Sequence, residues 1–239
     1  MNIIENDSSR DDLTFRNEIK YFFPNADVGK LRKILESNCR RIVYNEPIST
    51  VRSIYLDTWN LAAARANMDG IGRREKVRLR WYDRLKPPAD FFFEIKWRKN
   101  RLTGKKRIKI RADQPLFLSS YRRTVKELAE ALENQLGHIL MCYSEPVVIV
   151  EYKREHFISP DGDFRLTLDY DLVFYEQWGK LKPSVSFGIP LDHRVVLESK
   201  GRNINRDKLR SLLYPVSPRV SRCSKYVKGC QRLGLVKSG

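Results

Sequence analysis

Three short stretches, Lys76-Val-Arg-Leu-Arg-Trp-Tyr82, Phe91-Phe-Phe-Glu-Ile-Lys-Trp-Arg98 and Lys105-Lys-Arg-Ile-Lys-Ile-Arg111, decide how this chain folds. Each alternates charged with apolar residues, the period-two pattern of a β-strand. Arg78 and Arg80 flank Leu79. Lys105, Arg107, Lys109 and Arg111 fall on one face, Ile108 and Ile110 on the other. The breaks between them, Lys86-Pro-Pro-Ala and Asn100–Gly104, are too short for a helical crossover. The strands must therefore pair antiparallel.

The same reading extends outward. Phe15–Phe23 is a strand stopped by Pro24, and Val51–Asp57 is a second. Pro146–Phe157 and Phe164–Val173 flank a Pro160-Asp-Gly162 turn, and Arg194–Lys200 is a later strand. Helices are expected after a cap at Asn25 or Asp27, at Leu61–Met68, at Val125–Leu140, at Asn205–Leu213 and at Arg219–Leu233. Residues 1–12 read as a disordered leader and 13–239 as a single domain. The expected fold is mainly β (α+β). About eight long antiparallel strands can lose their edges by closing into a barrel with flanking helices.

Charge narrows the function. Lys and Arg number 46 against 29 Asp and Glu, a net charge of +17, while 41% of residues are apolar. Such a domain repels itself unless an anion sits on it. Much of the charge is on strands. Glu-x-Lys recurs at Glu18–Lys20, Glu94–Lys96, Glu151–Lys153 and Glu198–Lys200, and Arg165, Thr167 and Asp169 share a face. A solvated sheet face with cross-strand ion pairs explains any one of these. It does not explain the set, because the strands hold too few carboxylates. A barrel with this face inward would be a basic tunnel suited to phosphate chains.

Other classes find little support. Cys39, Cys142, Cys223 and Cys230 lack CxxC spacing, which argues against zinc, and they read as buried free thiols. There is no phosphate-binding GxxxxGK[ST] loop, and His138, His156 and His193 lie far apart. Nothing resembles a signal peptide or a span of about 20 apolar residues. A soluble, cytoplasmic protein is expected.

Nine segments in order resemble the VTC domain, the catalytic module of the vacuolar transporter chaperone complex, within the triphosphate tunnel metalloenzymes. They are Arg16–Tyr21, Ser53–Asp57, Val77–Tyr82, Phe93–Lys96, Thr103–Lys106, Glu151–Arg154, Phe164–Asp169, Val196–Lys200 and Ser224–Tyr226. The resemblance implies an eight-stranded tunnel and a polyphosphate polymerase that passes the γ-phosphate of ATP to a growing chain. By motif position Arg78, Arg80, Lys96, Arg154 and Arg165 would act on the transferring phosphate. Lys20, Arg65, Lys109 and Lys225 would hold the rest of the chain, with Lys106 the alternative to Lys109 on the opposite strand face. Glu198 would carry Mn²⁺ or Mg²⁺. Arg16 stands where the cyclase and thiamine triphosphatase branch has a glutamate, which disfavours that chemistry. The partners implied are ATP and inorganic polyphosphate or pyrophosphate, not nucleic acid. A separate membrane partner would be needed if polymer crosses a bilayer. The rivals are a tripolyphosphatase or nucleoside triphosphatase on the same fold, and a non-enzymatic nucleic-acid-binding protein.

Overall fold

The computed structural model describes residues 1–6, 17–100, 102–132, 134–201, 204–216 and 218–237. They form one antiparallel sheet of eleven strands and six α-helices. The strands are β1 (Asn2–Asn6), β2 (Asn17–Phe23), β3 (Arg40–Ile42), β4 (Ser49–Asp57), β5 (Arg73–Tyr82), β6 (Asp90–Lys99), β7 (Leu102–Arg111), β8 (Glu145–Ile158), β9 (Phe164–Glu176), β10 (Ile189–Leu191) and β11 (Val195–Gly201). The helices are α1 (Val28–Asn38), α2 (Ala62–Met68), α3 (Tyr121–Ala131), α4 (Asn134–Cys142), α5 (Arg206–Leu212) and α6 (Lys225–Arg232).

The strand order is β1-β7-β6-β5-β4-β8-β9-β11-β2, with β10 on β9 and β3 on β8. The expected eight-stranded barrel is not what forms, because among the described residues no ladder joins β2 back to β1 or β7. Other contacts span that gap. Lys96 Nζ on β6 meets Glu18 Oε2 on β2 at 2.8 Å. Along the open edge of β2, Tyr21 bridges Val220, and Ser221 N donates to Lys20 O at 2.8 Å. Residues 219–224, expected to begin a helix, are not helical, and Val220 and Ser221 touch this free edge. The last helix starts only at Lys225, where the Ser224 side chain accepts from Val227 N.

Three further expectations are corrected. Residues 2–6 are not an unstructured leader: β1 pairs antiparallel with β7. Residues 7–16, Arg16 among them, lie outside the described residues. The expected Val125–Leu140 helix is two helices, α3 and α4. Cys142 is exposed, unlike the other three cysteines.

Two apolar masses cover the convex face. On one half, Leu128, Leu132 and Leu140 of α3, α4 and the turn between them pack on Trp81, Phe91, Phe93 and Ile108. On the other, Leu31 and Leu35 of α1 and Leu209 and Leu213 at α5 pack on Phe157, Leu166, Leu168 and Leu197. Each fully buried side chain of this size contributes about 2 kcal/mol. These strand residues all hold one parity of the alternation, so the charged parity faces the concave side. Helix α6 also packs on that side, with Tyr226 and Cys230 among Val148, Val150 and Phe174. Gly229 makes that approach possible: a Cβ there would lie 2.9 Å from the Phe174 ring.

Candidate functional site

Ladder register stacks the concave side chains into rows, because directly opposed residues share a face. One row crosses four strands as Tyr55, Arg78, Glu94 and Arg107. The next is Ser53, Arg80, Phe92 and Lys109. A third places Lys76, Lys96 and Lys105 side by side. Across the concavity, Lys20, Glu198 and Thr167 form a row, and Arg154 faces Asp169.

Three buried carboxylates organise these cations. Glu94, 1% exposed, touches Arg78 at 2.6 Å, Lys105 at 3.0 Å, Arg107 at 3.2 Å and Arg80 at 3.5 Å. Burial would raise its pKa, but the surrounding cations, Arg80 and Arg78 foremost, hold it well below the carboxylate range. Asp169, fully buried, takes both Arg154 Nε at 2.6 Å and Nη2 at 2.7 Å, and Lys225 Nζ at 2.6 Å. Burial opposes its ionisation too, yet Arg154 and Lys225 bring its pKa down to about 2. Glu198 lies 2.8 Å from Lys200 and 3.9 Å from Lys20. Its ionised form survives burial through Lys200, Lys20 and Lys96.

The lysine row is only partly neutralised: Lys96 pairs with Glu18 at 2.8 Å and Lys105 shares Glu94 with three arginines, while Lys76 has neither. Among the described residues no carboxylate pairs with Lys76; its Nζ donates to Ser224 Oγ at 2.7 Å. Burial, then Lys20, Lys96 and other nearby cations, lowers its pKa to about 7. Lys105 is likewise lowered to about 7 by burial, against the pull of Glu94. Because Glu18 is shared with Lys20 and Glu94 with Arg78, Arg80 and Arg107, these close cations are short of counter-charge in a medium of reduced dielectric. Among the described residues the Thr167 hydroxyl, buried and opposite Glu198, has no hydrogen-bond partner. Arg107 lies over the Phe92 ring at 3.7 Å and Lys225 over the Tyr152 ring at 4.8 Å, so aromatic faces steady both heads.

Of the residues expected at the site, Lys20, Arg78, Arg80, Lys96, Lys109, Arg154, Lys225 and Glu198 are on this side. Arg165 shares their face, opposite Lys200, but is exposed at the margin. Lys106 is a correction: it opposes Ile95 on the convex parity, one residue out of step with Arg107. Arg65 is exposed on α2, and among the described residues no ion pair ties it to the cluster. The expected set omitted Lys76, Lys105, Arg107, Glu18, Glu94 and Asp169. Strand parity gives the signal for Lys76, Lys105, Arg107 and Glu94.

Among the described residues no group of three or more His, Cys, Asp or Glu could hold a metal ion. The carboxylates of Glu198 and Glu18 do lie close enough to influence each other's protonation. Two carboxylates suit a hard cation whose remaining ligands are phosphate oxygens and water, but not a fully caged ion.

A family model described as VTC domain matches residues 15–234. A search of curated proteins returns no match. Among the described residues, no helix is long and apolar enough to cross a membrane.

Proposed function

The chain belongs to the VTC-domain family, and on that premise we propose that it is a polyphosphate polymerase. The observation that carries the proposal is the Lys76–Lys96–Lys105 row beside the Glu94-centred arginines. These are closely spaced cations on a concave surface, short of counter-charge, and a phosphate chain supplies anionic oxygens at matching density. The terminal oxygen of the growing chain attacks the γ-phosphorus of ATP. A P–O bond forms there, the bond to the β-phosphate oxygen breaks, and ADP leaves. The attacking oxygen is already anionic, so no side chain need remove a proton. His156, with its pKa lowered to about 4 chiefly by burial, suits no such role.

The residues then act by position and charge. Arg78, Arg80 and Arg154 offer forked donors to non-bridging oxygens. Arg165 waits at the margin, and Lys20, Lys96, Lys109 and Lys225 hold the flanking phosphates. Glu198, with Glu18, would hold a Mn²⁺ or Mg²⁺ ion that arrives with the nucleotide. Such an ion would supply positive charge against the phosphate oxygens.

The test is purified protein with ATP and Mn²⁺, resolved on a gel that separates polyphosphate by length, with orthophosphate measured in parallel. ADP-linked growth of a ladder is expected. Orthophosphate release from tripolyphosphate without a ladder would make the chain a tripolyphosphatase instead.

A further inference from the structure

The concave cation rows do not stop at Lys76 and Lys96. One step further along the same two strands, about 6.6 Å on, Arg74 stands directly opposite Arg98. On the other face, Arg73 stands directly opposite Lys99. Like charges facing each other across a ladder are destabilising, and here two such pairs are adjacent. A third guanidinium joins them from the segment that leads into α6. Arg222 lies against the β5 approach, its Nη1 3.4 Å from where a Cβ on Gly70 would be. Arg74 itself is anchored to the same turn, donating from Nη1 to Ile71 O at 2.5 Å. Arg98 is held by its own turn, Nε to Asn100 O at 2.7 Å.

Among the described residues no carboxylate pairs with Arg74, Arg98 or Arg222. Each arginine with an anchor uses a backbone carbonyl, which fixes the head without cancelling its charge. The Arg74 guanidinium is made harder to protonate by burial, then by the nearby cations Arg98 and Arg222. An ordinary solvated surface would spread such groups apart or intersperse acids. A cluster that is held together yet left without anions is built for one supplied from outside.

We infer that Arg74, Arg98 and Arg222 form a rim station that grips the part of a phosphate chain extending beyond the concave cluster, so that the protein favours long inorganic polyphosphate over tripolyphosphate. This rests on the function proposed above. The strand geometry makes the path continuous: Arg78, Lys76 and Arg74 are successive same-face residues of β5, and Lys96 and Arg98 are successive on β6. A triphosphate occupying the Glu94-centred arginines and the lysine row would not need the rim. A chain several times longer would reach it, and multipoint engagement adds affinity without new contacts inside the concave cluster.

The experiment measures binding of tripolyphosphate and of long-chain polyphosphate, per chain, to four proteins. These are the wild type, Arg74→Gln/Arg98→Gln, Arg222→Gln, and Arg122→Gln/Lys126→Gln on α3 as a control for lost net charge. The rim double variant is expected to bind long polyphosphate about tenfold more weakly, the effect of one well-made charged contact. Its tripolyphosphate affinity should stay within about twofold. Arg222→Gln should show a smaller loss of the same kind, and the α3 control none. Melting temperature checks folding, and relief of the opposed charges should leave it unchanged or raised. Equal losses for both ligands, no loss for either, or an equal loss in the control each overturn the rim station. If the wild type binds long polyphosphate through the rim but makes no polymer, the polymerase reading falls and the station stands. If the wild type binds neither ligand, both fall.

Discussion

Arg154 closes on Asp169 with two parallel hydrogen bonds, Nε to Oδ1 at 2.6 Å and Nη2 to Oδ2 at 2.7 Å, and Lys225 reaches the same carboxylate from α6. Asp169 therefore stands in for a ligand: in the free protein it supplies the charge that a phosphate would otherwise bring. Asp169→Asn leaves two largely buried cations uncompensated, at a cost of about 3 kcal/mol. The variant should melt several degrees lower than the wild type. Saturating polyphosphate should raise its melting temperature by more than it raises that of the wild type, because ligand binding to the native state stabilises by mass action. An equal rise in both, measured by differential scanning fluorimetry, would show that no phosphate reaches Arg154.

Lys76 gives the protein a pH dependence. Its pKa of about 7 means that near neutrality the free side chain is only partly charged. An arriving phosphate favours the charged form, so binding must take up protons where the free lysine is neutral. Affinity for tripolyphosphate should fall as pH rises from about 6.5 to about 8.5, with proton uptake visible as a buffer-dependent heat in calorimetry. Lys76→Arg, always charged, should flatten this dependence relative to the wild type, which controls for the titration of phosphate itself. The stability sign is opposite. A lysine whose folded pKa lies below its unfolded value destabilises the protein below that unfolded value, and the penalty grows as pH falls towards 7. Lys76→Gln should thus melt higher at neutral pH while binding phosphate more weakly.

Strand parity separates neighbours in sequence. Arg78→Ala removes a guanidinium that bonds Glu94 and the Tyr55 hydroxyl on the concave side, and turnover should fall about a hundredfold or more. Lys106→Ala removes a cation of the opposite face and should leave polymer synthesis within about twofold. Assaying both variants by ADP release distinguishes a site on the concave face from a uniformly basic surface. Comparable losses in both would mean that only total charge matters.

How much of this was legible from residues alone follows from the same parity. Alternation around Leu79, Ile108 and Leu166 gave the strands and the charged face correctly, because period two is a local property. Alternation with Ile108 and Ile110 puts Lys106 on the apolar face and Lys105 on the charged one, but only the register of β7 against β6 says that Lys105 reaches Glu94. The extra strands escaped notice because β1, β3 and β10 have only three to five residues each, too few to show a period. The open seam was equally hidden. Whether β2 pairs with β7 depends on long-range curvature, and residues 219–224 carry no local mark of the bridge from Tyr21 to Val220. Asp169 looked like one charge among several on its strand. Its place beneath Arg154 and Lys225 depends on α6, nearly sixty residues later in the chain.

Glu198 offers the sharpest test of metal dependence. It is 5% exposed, sits between Lys20 and Thr167 in the cross-strand row, and shares its surroundings with Glu18. In the free protein Lys200 lies 2.8 Å away. If this pair is only structural, Glu198→Gln loses an ion pair whose lysine is well exposed, a loss of about 1 kcal/mol or less. The variant would melt slightly lower and still make polymer. If Glu198 holds a divalent cation beside the nucleotide, Gln keeps the shape but removes the charge that a hard cation requires. ATP-dependent polymer synthesis should then fall by at least about a hundredfold, while tripolyphosphate affinity, measured without metal, persists or rises as local negative charge is lost. The Mn²⁺ titration separates the two: a need for far higher Mn²⁺ with binding intact places the ion on Glu198. Near-normal synthesis at low Mn²⁺ removes Glu198 from the chemistry and leaves it as a partner of Lys200.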